Sequence, residues 1–265
     1  MWSRIAEITS TRDVVRIRHE GISGPECRLR AALVRWEEPE DPTRRVDLVG
    51  AAWEAPGGAI SWGWPDVEGR FELRPGPDRP EVCSVLPPAL SLALAFRRSG
   101  VELGECALVL GDGFLARLAC AVASAVGYRV VQASEASGEE AGDPTRADVV
   151  IETTAVPTRL EWAAARCRDW GRVYALGGAL TSVPLNYYAH VHRRALTLTQ
   201  VPDRPVFCAG EAEIATRGTD RLADAVRGIR PERVEILDAQ VSPDGSSGRL
   251  ERERSGWGLL LVEER

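Results

Sequence analysis

The stretch 109-VLGDGFLARLACAVASAVG-127 decides how this chain is read. An apolar strand runs into two glycines separated by one residue, and a helix-like run follows at once. Gly111-Asp112-Gly113-Phe114-Leu115-Ala116 has the spacing GxGxxA. In such a turn the first glycine permits a sharp bend, the second lets backbone amides approach a pyrophosphate, and a small third residue lets helix and strand pack closely. The helix that follows aims the positive end of its dipole at the same point. Leu115, Leu118, Ala119, Val122 and Val126 recur at helical spacing, so one face of that helix is predicted to lie on a sheet. Gly111, Asp112, Gly113, Phe114 and Leu115 are therefore the candidate holders of a dinucleotide diphosphate. A tight corner that keeps this backbone and holds no ligand is the other reading of the same residues.

Outward from this turn the texture repeats. LPPALSLALAFRRSG (86–100) opens with proline at a helix start and stops at Gly100. CALVLG (106–111), YRVVQAS (128–134), ADVVIETT (147–154), GRVYALGG (171–178) and RALTLTQV (194–201) read as strands. TRLEWAAARCRDW (158–170) reads as a helix, and the acidic EASGEEAGDPTR (135–146) as a loop. Continuous apolar strands alternating with helices predict a parallel sheet with crossovers. Both flanks differ from this. DVVRIRHEGI (13–22), CRLRAALVRW (27–36), RRVDLVGAAWEA (44–55) and GRFELRPG (69–76) have the partial alternation of an antiparallel β-domain, and GGAISWGWPDVEG (57–69) reads as a packed loop. Near the carboxyl end TDRLADAVRGI (219–229) reads as a helix, RVEILDAQV (233–241) and GWGLLLVEE (256–264) as strands, and SPDGSSGRLERERSG (242–256) as a solvated loop. The predicted fold class is α/β: a parallel-sheet domain over 86–205, inserted in a β-domain made of 1–85 and 206–265.

The 33 Lys+Arg against 39 Asp+Glu give a net charge of −6, which argues against nucleic acid or an anionic membrane as the main partner and leaves a small-molecule substrate. No apolar segment follows the basic residues of the amino terminus and none approaches 18 residues, so the expected location is cytoplasmic. Six scattered cysteines form neither a CxxC knuckle nor a disulfide framework and are expected as free, mostly buried thiols.

Taken in order, these segments resemble the medium-chain dehydrogenase/reductase superfamily. DVVRIRHEGISGPE (13–26) resembles the family's early segment, residues 86–127 its domain-linking helix and dinucleotide turn, and ADVVIETTA, GRVYALGG and HVHRRALTLTQV its later cofactor-domain strands and dimer edge. The short chain and the GIS-type segment are loosely similar to the zinc-free branch around the bacteriochlorophyllide dehydrogenases. The resemblance implies a Rossmann-type domain inserted in a discontinuous GroES-like domain, a homodimer, and NADP or NAD as cofactor. It places the nicotinamide against Thr153, Thr154, Gly177 and Gly178. At the tip of the second strand, where an acidic residue would hold the adenosine ribose, stands Ser134, which removes repulsion toward a 2′-phosphate. Arg129 and Arg146 are either the matching cations or ordinary surface arginines.

The family's zinc-dependent members carry a cysteine where this chain has Ser23, and a histidine ligand in a region where this chain has none between His19 and His190. No catalytic zinc is expected, because serine is a poor substitute in a tetrahedral set of imidazole, thiolate and carboxylate. The segment between Ser134 and Ala147 is also too short for the family's usual helix and third strand. Hydride transfer without zinc needs a proton donor or a conjugated substrate. Ser23 and Glu26 in the former ligand loop, and Tyr187 and His190 in NYYAHVH (186–192), are the candidate catalytic residues, with packing at a contact the alternative for the last two. The expected activity is reduction or oxidation of a carbonyl or conjugated alkene of a mid-sized organic metabolite in a biosynthetic pathway. A lyase or cyclase, or a non-catalytic binding protein on the same scaffold, remains open, because fold does not settle function.

Overall fold

The computed structural model describes residues 2–10, 14–20, 28–36, 46–55, 57–65, 70–77, 79–100, 102, 104–133, 146–154, 156–176, 185–207, 211, 218–231, 235–242, 246–252 and 257–262. In chain order the elements begin with β1 (Trp2–Ser10), β2 (Val14–Glu20), β3 (Arg28–Trp36), β4 (Val46–Glu54), β5 (Ile60–Gly63), β6 (Arg70–Glu72) and β7 (Arg74–Pro75). Next come α1 (Pro80–Arg98), β8 (Cys106–Leu110), α2 (Phe114–Val126), β9 (Arg129–Ala133), β10 (Ala147–Glu152), α3 (Pro157–Arg166) and β11 (Cys167–Leu176). A π-helical turn (Tyr188–His192), β12 (Thr197–Val201), α4 (Thr219–Ala225), β13 (Glu235–Ser242), β14 (Ser246–Arg252) and β15 (Trp257–Val262) follow. The chain divides into two compact units, Met1–Pro88 with Thr216–Arg265, and Ala89–Ala215. Among the described residues no helix is long and apolar enough to cross a membrane.

The first unit is a ten-stranded sheet in the order β6-β1-β2-β13-β14-β15-β3-β4-β5-β7. Three carboxyl-terminal strands stand in the middle of a sheet whose other strands come from the first 75 residues, entering through the parallel pair β2–β13. The sequence led us to expect a loop over 242–256, yet β14 lies inside it. Its backbone is hydrogen-bonded to β13 along its whole length and to β15 over Gly248–Arg252, and pairing on both sides outweighs a poor strand composition. Trp53, Phe71, Leu29, Val34 and Leu260 build the core, with Trp53 and Phe71 edge to face at 5.9 Å. Trp62, expected in a packed loop, lies on β5, fully buried, its indole N–H donating to the Pro75 carbonyl at 3.1 Å.

Helix α1 starts earlier than its texture suggests. The proline at its first position is Pro80, so Pro87 and Pro88 are interior. Proline lacks the N–H that would bond four residues back, which releases the carbonyls of Cys83 and Ser84 from the helix ladder. Gly50 of β4 uses that opening: a Cβ there would lie 2.3 Å from the Ser84 carbonyl oxygen and 2.8 Å from Pro87 Cγ. Only a residue without a side chain fits so close an approach.

The second unit is a five-stranded, all-parallel sheet in the order β12-β11-β10-β8-β9. One row across it reads Leu198–Val173–Val150–Leu108–Val131, apolar from edge to edge, as strands covered by crossover helices require. Helix α2 buries Leu115, Leu118, Ala119 and Val122 of the predicted face, leaves Val126 half-buried, and ends on Gly127 at φ +108. The Gly127 amide donates to the carbonyls of Ala123 and Ser124 there, which closes the last turn.

Residues 167–170, expected at the end of a helix, open β11 instead. Cys167 is extended and pairs with Ala147, and the register then skips to Arg172 opposite Val149. Arg194 accounts for the break, because its guanidinium donates to the carbonyls of Ala164 and Cys167, acceptors that another helical turn would have used, and is anchored by the Asp169 carboxylate. Burial pushes the Cys167 thiol up to about 11, so it stays protonated near neutrality. The described cysteines, Cys83, Cys106, Cys120 and Cys167, are free thiols; Cys27 and Cys208 lie outside the described residues.

Between α1 and this sheet, Phe96 meets Tyr128 and Tyr174 edge to face at 5.1 and 5.2 Å. The Tyr128 hydroxyl is buried with no hydrogen-bond partner among the described residues, and burial, with Tyr174 beside it, pushes its pKa far above that of an ordinary phenol. Tyr128→Phe is accordingly expected to leave stability unchanged or raise it by up to about 1 kcal/mol in urea unfolding. A loss of that size would show that the hydroxyl has a partner.

Candidate functional site

In the parallel sheet the chain leaves β8 for β9 on one side and then crosses to β10 on the other. The carboxyl ends of β8 and β10 are thus a topological switch point, the place in an open α/β sheet where a crevice forms between diverging connections. The glycine turn lies there, between β8 and α2.

Its first residue is fixed from several sides. Gly111 has φ +119, a region L side chains rarely adopt, and a Cβ on it would lie 2.5 Å from Thr153 Oγ1. The same Cβ would stand 3.6 Å from that of Ala116, so the small third residue of GxGxxA does lie against the bend. The Gly111 amide donates to the Ala133 carbonyl at 3.0 Å, and Gln132 Nε2 donates to the Gly111 carbonyl at 2.9 Å. Phe114, Leu115 and Ala116 are buried, Gly113 is half-buried and Asp112 is exposed, which makes the tip of the turn its accessible part. Helix α2 begins with no side-chain cap and no acidic residue in its first turn. Such an opening leaves amide donors and the positive end of the dipole facing outward.

The turn after β10 closes on the same place. Thr153 donates to the Leu110 carbonyl through its amide at 3.2 Å and its hydroxyl at 2.6 Å. Glu152, fully buried, stands in register with Leu110 of β8 and Ala175 of β11 and accepts from the amide of Thr154 at 2.7 Å and from its hydroxyl. The Thr154 oxygen also accepts from the Val156 amide at 3.3 Å. Thr153 thereby holds the β10 turn against the glycine turn, and Thr154 fixes the β10 turn internally.

Gly111, Asp112, Gly113, Phe114, Leu115, Thr153 and Thr154 therefore meet at one end of the sheet. Tyr187 and His190 do not join them there: the His190 imidazole sits 3.0 Å from Glu161 in the middle of α3, and Tyr187 is largely exposed at the start of the π-helical turn. Ser23, Glu26, Ser134, Gly177 and Gly178 lie outside the described residues. Arg129 is exposed at the amino end of β9, and Arg146 pairs with Asp169 at 3.3 Å, the ordinary surface role. Glu152, Gln132 and Arg117 were not foreseen. A glutamate ending the apolar run ADVVIE is the one sequence signal among them.

The cradle fits the diphosphate of a dinucleotide: a glycine bend with no room for a side chain, an uncapped helix start, and an exposed tip at a switch point. No protein-family model and no curated protein matches the sequence. Solved structures do. S. aureus TarJ superposes with a TM-score of 0.59 at 12% identity over 86% of this chain and 88% of its own. A zinc-binding dehydrogenase of Sinorhizobium meliloti 1021, bound to NADP, gives 0.54 at 16% identity over 92% and 99%. Acetophenone reductase from Geotrichum candidum, in complex with NAD, gives 0.55 at 13% identity over 87% and 89%. The chain shares the fold of these three proteins. A Rossmann-type parallel sheet accompanied by a largely antiparallel one is the architecture that the resemblance implied.

Proposed function

We propose that the chain is a cytoplasmic NAD(P)(H)-dependent oxidoreductase that works without catalytic zinc on a carbonyl or conjugated alkene of a mid-sized organic metabolite. The observation that carries this reading is the glycine turn at the switch point, and the nucleotides held by its structural neighbours agree with it. The backbone amides from Asp112 to Leu115 would hold the diphosphate, with Thr153 and Thr154 keeping the adjoining turn in place. Bound there, a nicotinamide supplies or accepts hydride. The zinc-free part of the proposal rests on Ser23 in place of a cysteine and on the absence of histidine between His19 and His190. Ser23 and Glu26 are the proposed proton sources, since Tyr187 and His190 stand apart from the turn that would place the nicotinamide.

Nucleotide-dependent thermal stabilisation tests the reading. Ligand at a hundred times its dissociation constant should add roughly 2.7 kcal/mol. In a chain of this size that corresponds to a melting shift of roughly 5–10 °C. No shift with NAD, NADH, NADP or NADPH at millimolar concentration would end it.

The partner proposed for the second unit is another copy of the chain. Among the described residues β12 is an edge strand with β11 as its one neighbour, and Leu198 is 39% exposed on it beside exposed Thr197 and Gln200. An open edge invites pairing with a two-fold mate. Sedimentation at micromolar concentration should report a dimer, and Leu198→Asp a monomer. A monomeric native chain would remove this part of the proposal.

A further inference from the structure

The glycine turn carries a second layer of control in two side chains that hold consecutive carbonyls. Gln132 Nε2 donates to the Gly111 carbonyl at 2.9 Å, and Arg117 Nη1 donates to the Asp112 carbonyl at 3.1 Å. A peptide unit is planar, with its C=O and N–H pointing opposite ways. Holding these two oxygens therefore turns the Asp112 and Gly113 amides away from Gln132 and Arg117. The second peptide is the vulnerable one, because it ends in Gly113, which has no Cβ to resist a flip. A flipped 112–113 peptide would offer a carbonyl oxygen to a phosphate in place of a donor.

Charge adds to geometry at the same place. Asp112 puts an exposed carboxylate at the tip of a turn read as a phosphate cradle, where it opposes an anion. Arg117, in α2, brings a cation to the residue that bears that carboxylate. A cation beside a helix amino terminus works against the helix dipole, so helix stability does not account for its choice.

We propose that Arg117 is a positioning residue that sets how tightly the turn grips a dinucleotide, by locking the Asp112 carbonyl away from the diphosphate and by countering the Asp112 carboxylate. The proposal rests on the dinucleotide reading given above. Gln132 performs the first task on the neighbouring peptide and, being neutral, not the second.

Binding of NADPH and NADH to the full chain, measured by calorimetry at low and high salt, separates these roles. Arg117→Ala is expected to weaken binding about tenfold at low salt and clearly less at high salt, since screening already removes the charge contribution. Arg117→Lys should recover the salt-dependent part. Gln132→Leu should weaken binding by a similar factor at every salt concentration. Asp112→Asn, at an exposed position, should tighten it about threefold at low salt. Opposite signs at adjacent positions are not the pattern of general damage to the fold, and melting of the unliganded variants checks that directly. Native affinity in Arg117→Ala, an equal loss at all salt concentrations, or weaker binding in Asp112→Asn would overturn the proposal while leaving the dinucleotide reading intact. A native chain that binds neither nucleotide would overturn both.

Discussion

Gly111→Val is expected to abolish nucleotide-dependent stabilisation and to destabilise the chain by about 3 kcal/mol or more, the sum of left-handed strain and overpacking. The two costs have separate origins. At φ +119 any side chain is strained, and β-branched valine most of all. Its Cβ would also lie 2.5 Å from Thr153 Oγ1, a hydroxyl already committed to the Leu110 carbonyl at 2.6 Å. Relief requires the β10 turn to move away from the glycine turn, which opens the place where the diphosphate is proposed to sit. Alanine brings the same Cβ contact with less bulk, so Gly111→Ala should lie between the native chain and the valine variant in both unfolding and nucleotide-dependent melting. A valine variant that still gains stability from NADPH would mean that the nucleotide binds elsewhere.

Arg172→Met is the second large effect, expected to cost about 3–5 kcal/mol in urea unfolding because it strands a buried carboxylate. Arg172 and Glu105 are 13% and 7% exposed and directly bonded, and the same guanidinium donates to the carbonyls of Ser99 at 3.0 Å and Gly100 where α1 ends. Arg168 stands farther from Glu105, at 3.6 Å, and is committed to Asp148 at 2.5 Å, so it is a poor replacement. Adding Glu105→Gln to Arg172→Met should restore part of the loss, since the uncompensated charge is gone. Equal stability of the single and double variants would show that the carbonyl bonds, rather than the ion pair, are what Arg172 contributes.

How much of this was legible in the sequence follows from where the information lies. The parallel unit was, because its signals are local and repeated: apolar runs of strand length, a helix with one apolar face, and a glycine pair at the turn between them. β14 was not, because Ser246–Arg252 is a strand by virtue of its two neighbours, and pairing partners distant in sequence leave no mark on a polar segment. The start of α1 was displaced because one rule, proline at the first helical position, had two places to apply; the chain uses Pro80, and Pro87 with the Ser84 carbonyl meets Gly50. The end of α3 depends on an arginine nearly thirty residues away.

The candidate site divides in the same way. Spacing identified Gly111 and Ala116, whose places are set by what side chains they lack. Gln132, Arg117 and Glu152 act through long side chains reaching backbone groups on other turns, and no periodicity encodes such reach. Tyr187 and His190 stood out as chemistry-bearing types in one short run, yet fold geometry gives His190 to Glu161 on α3 rather than to the glycine turn.

The most direct measurement is a crystal structure of the full chain soaked with NADPH. The account predicts diphosphate density at the start of α2, within hydrogen-bonding distance of the amides between Asp112 and Leu115, with the nicotinamide running toward the Thr153 turn. Nucleotide density anywhere else, or a filled hollow at that turn with none, would contradict it.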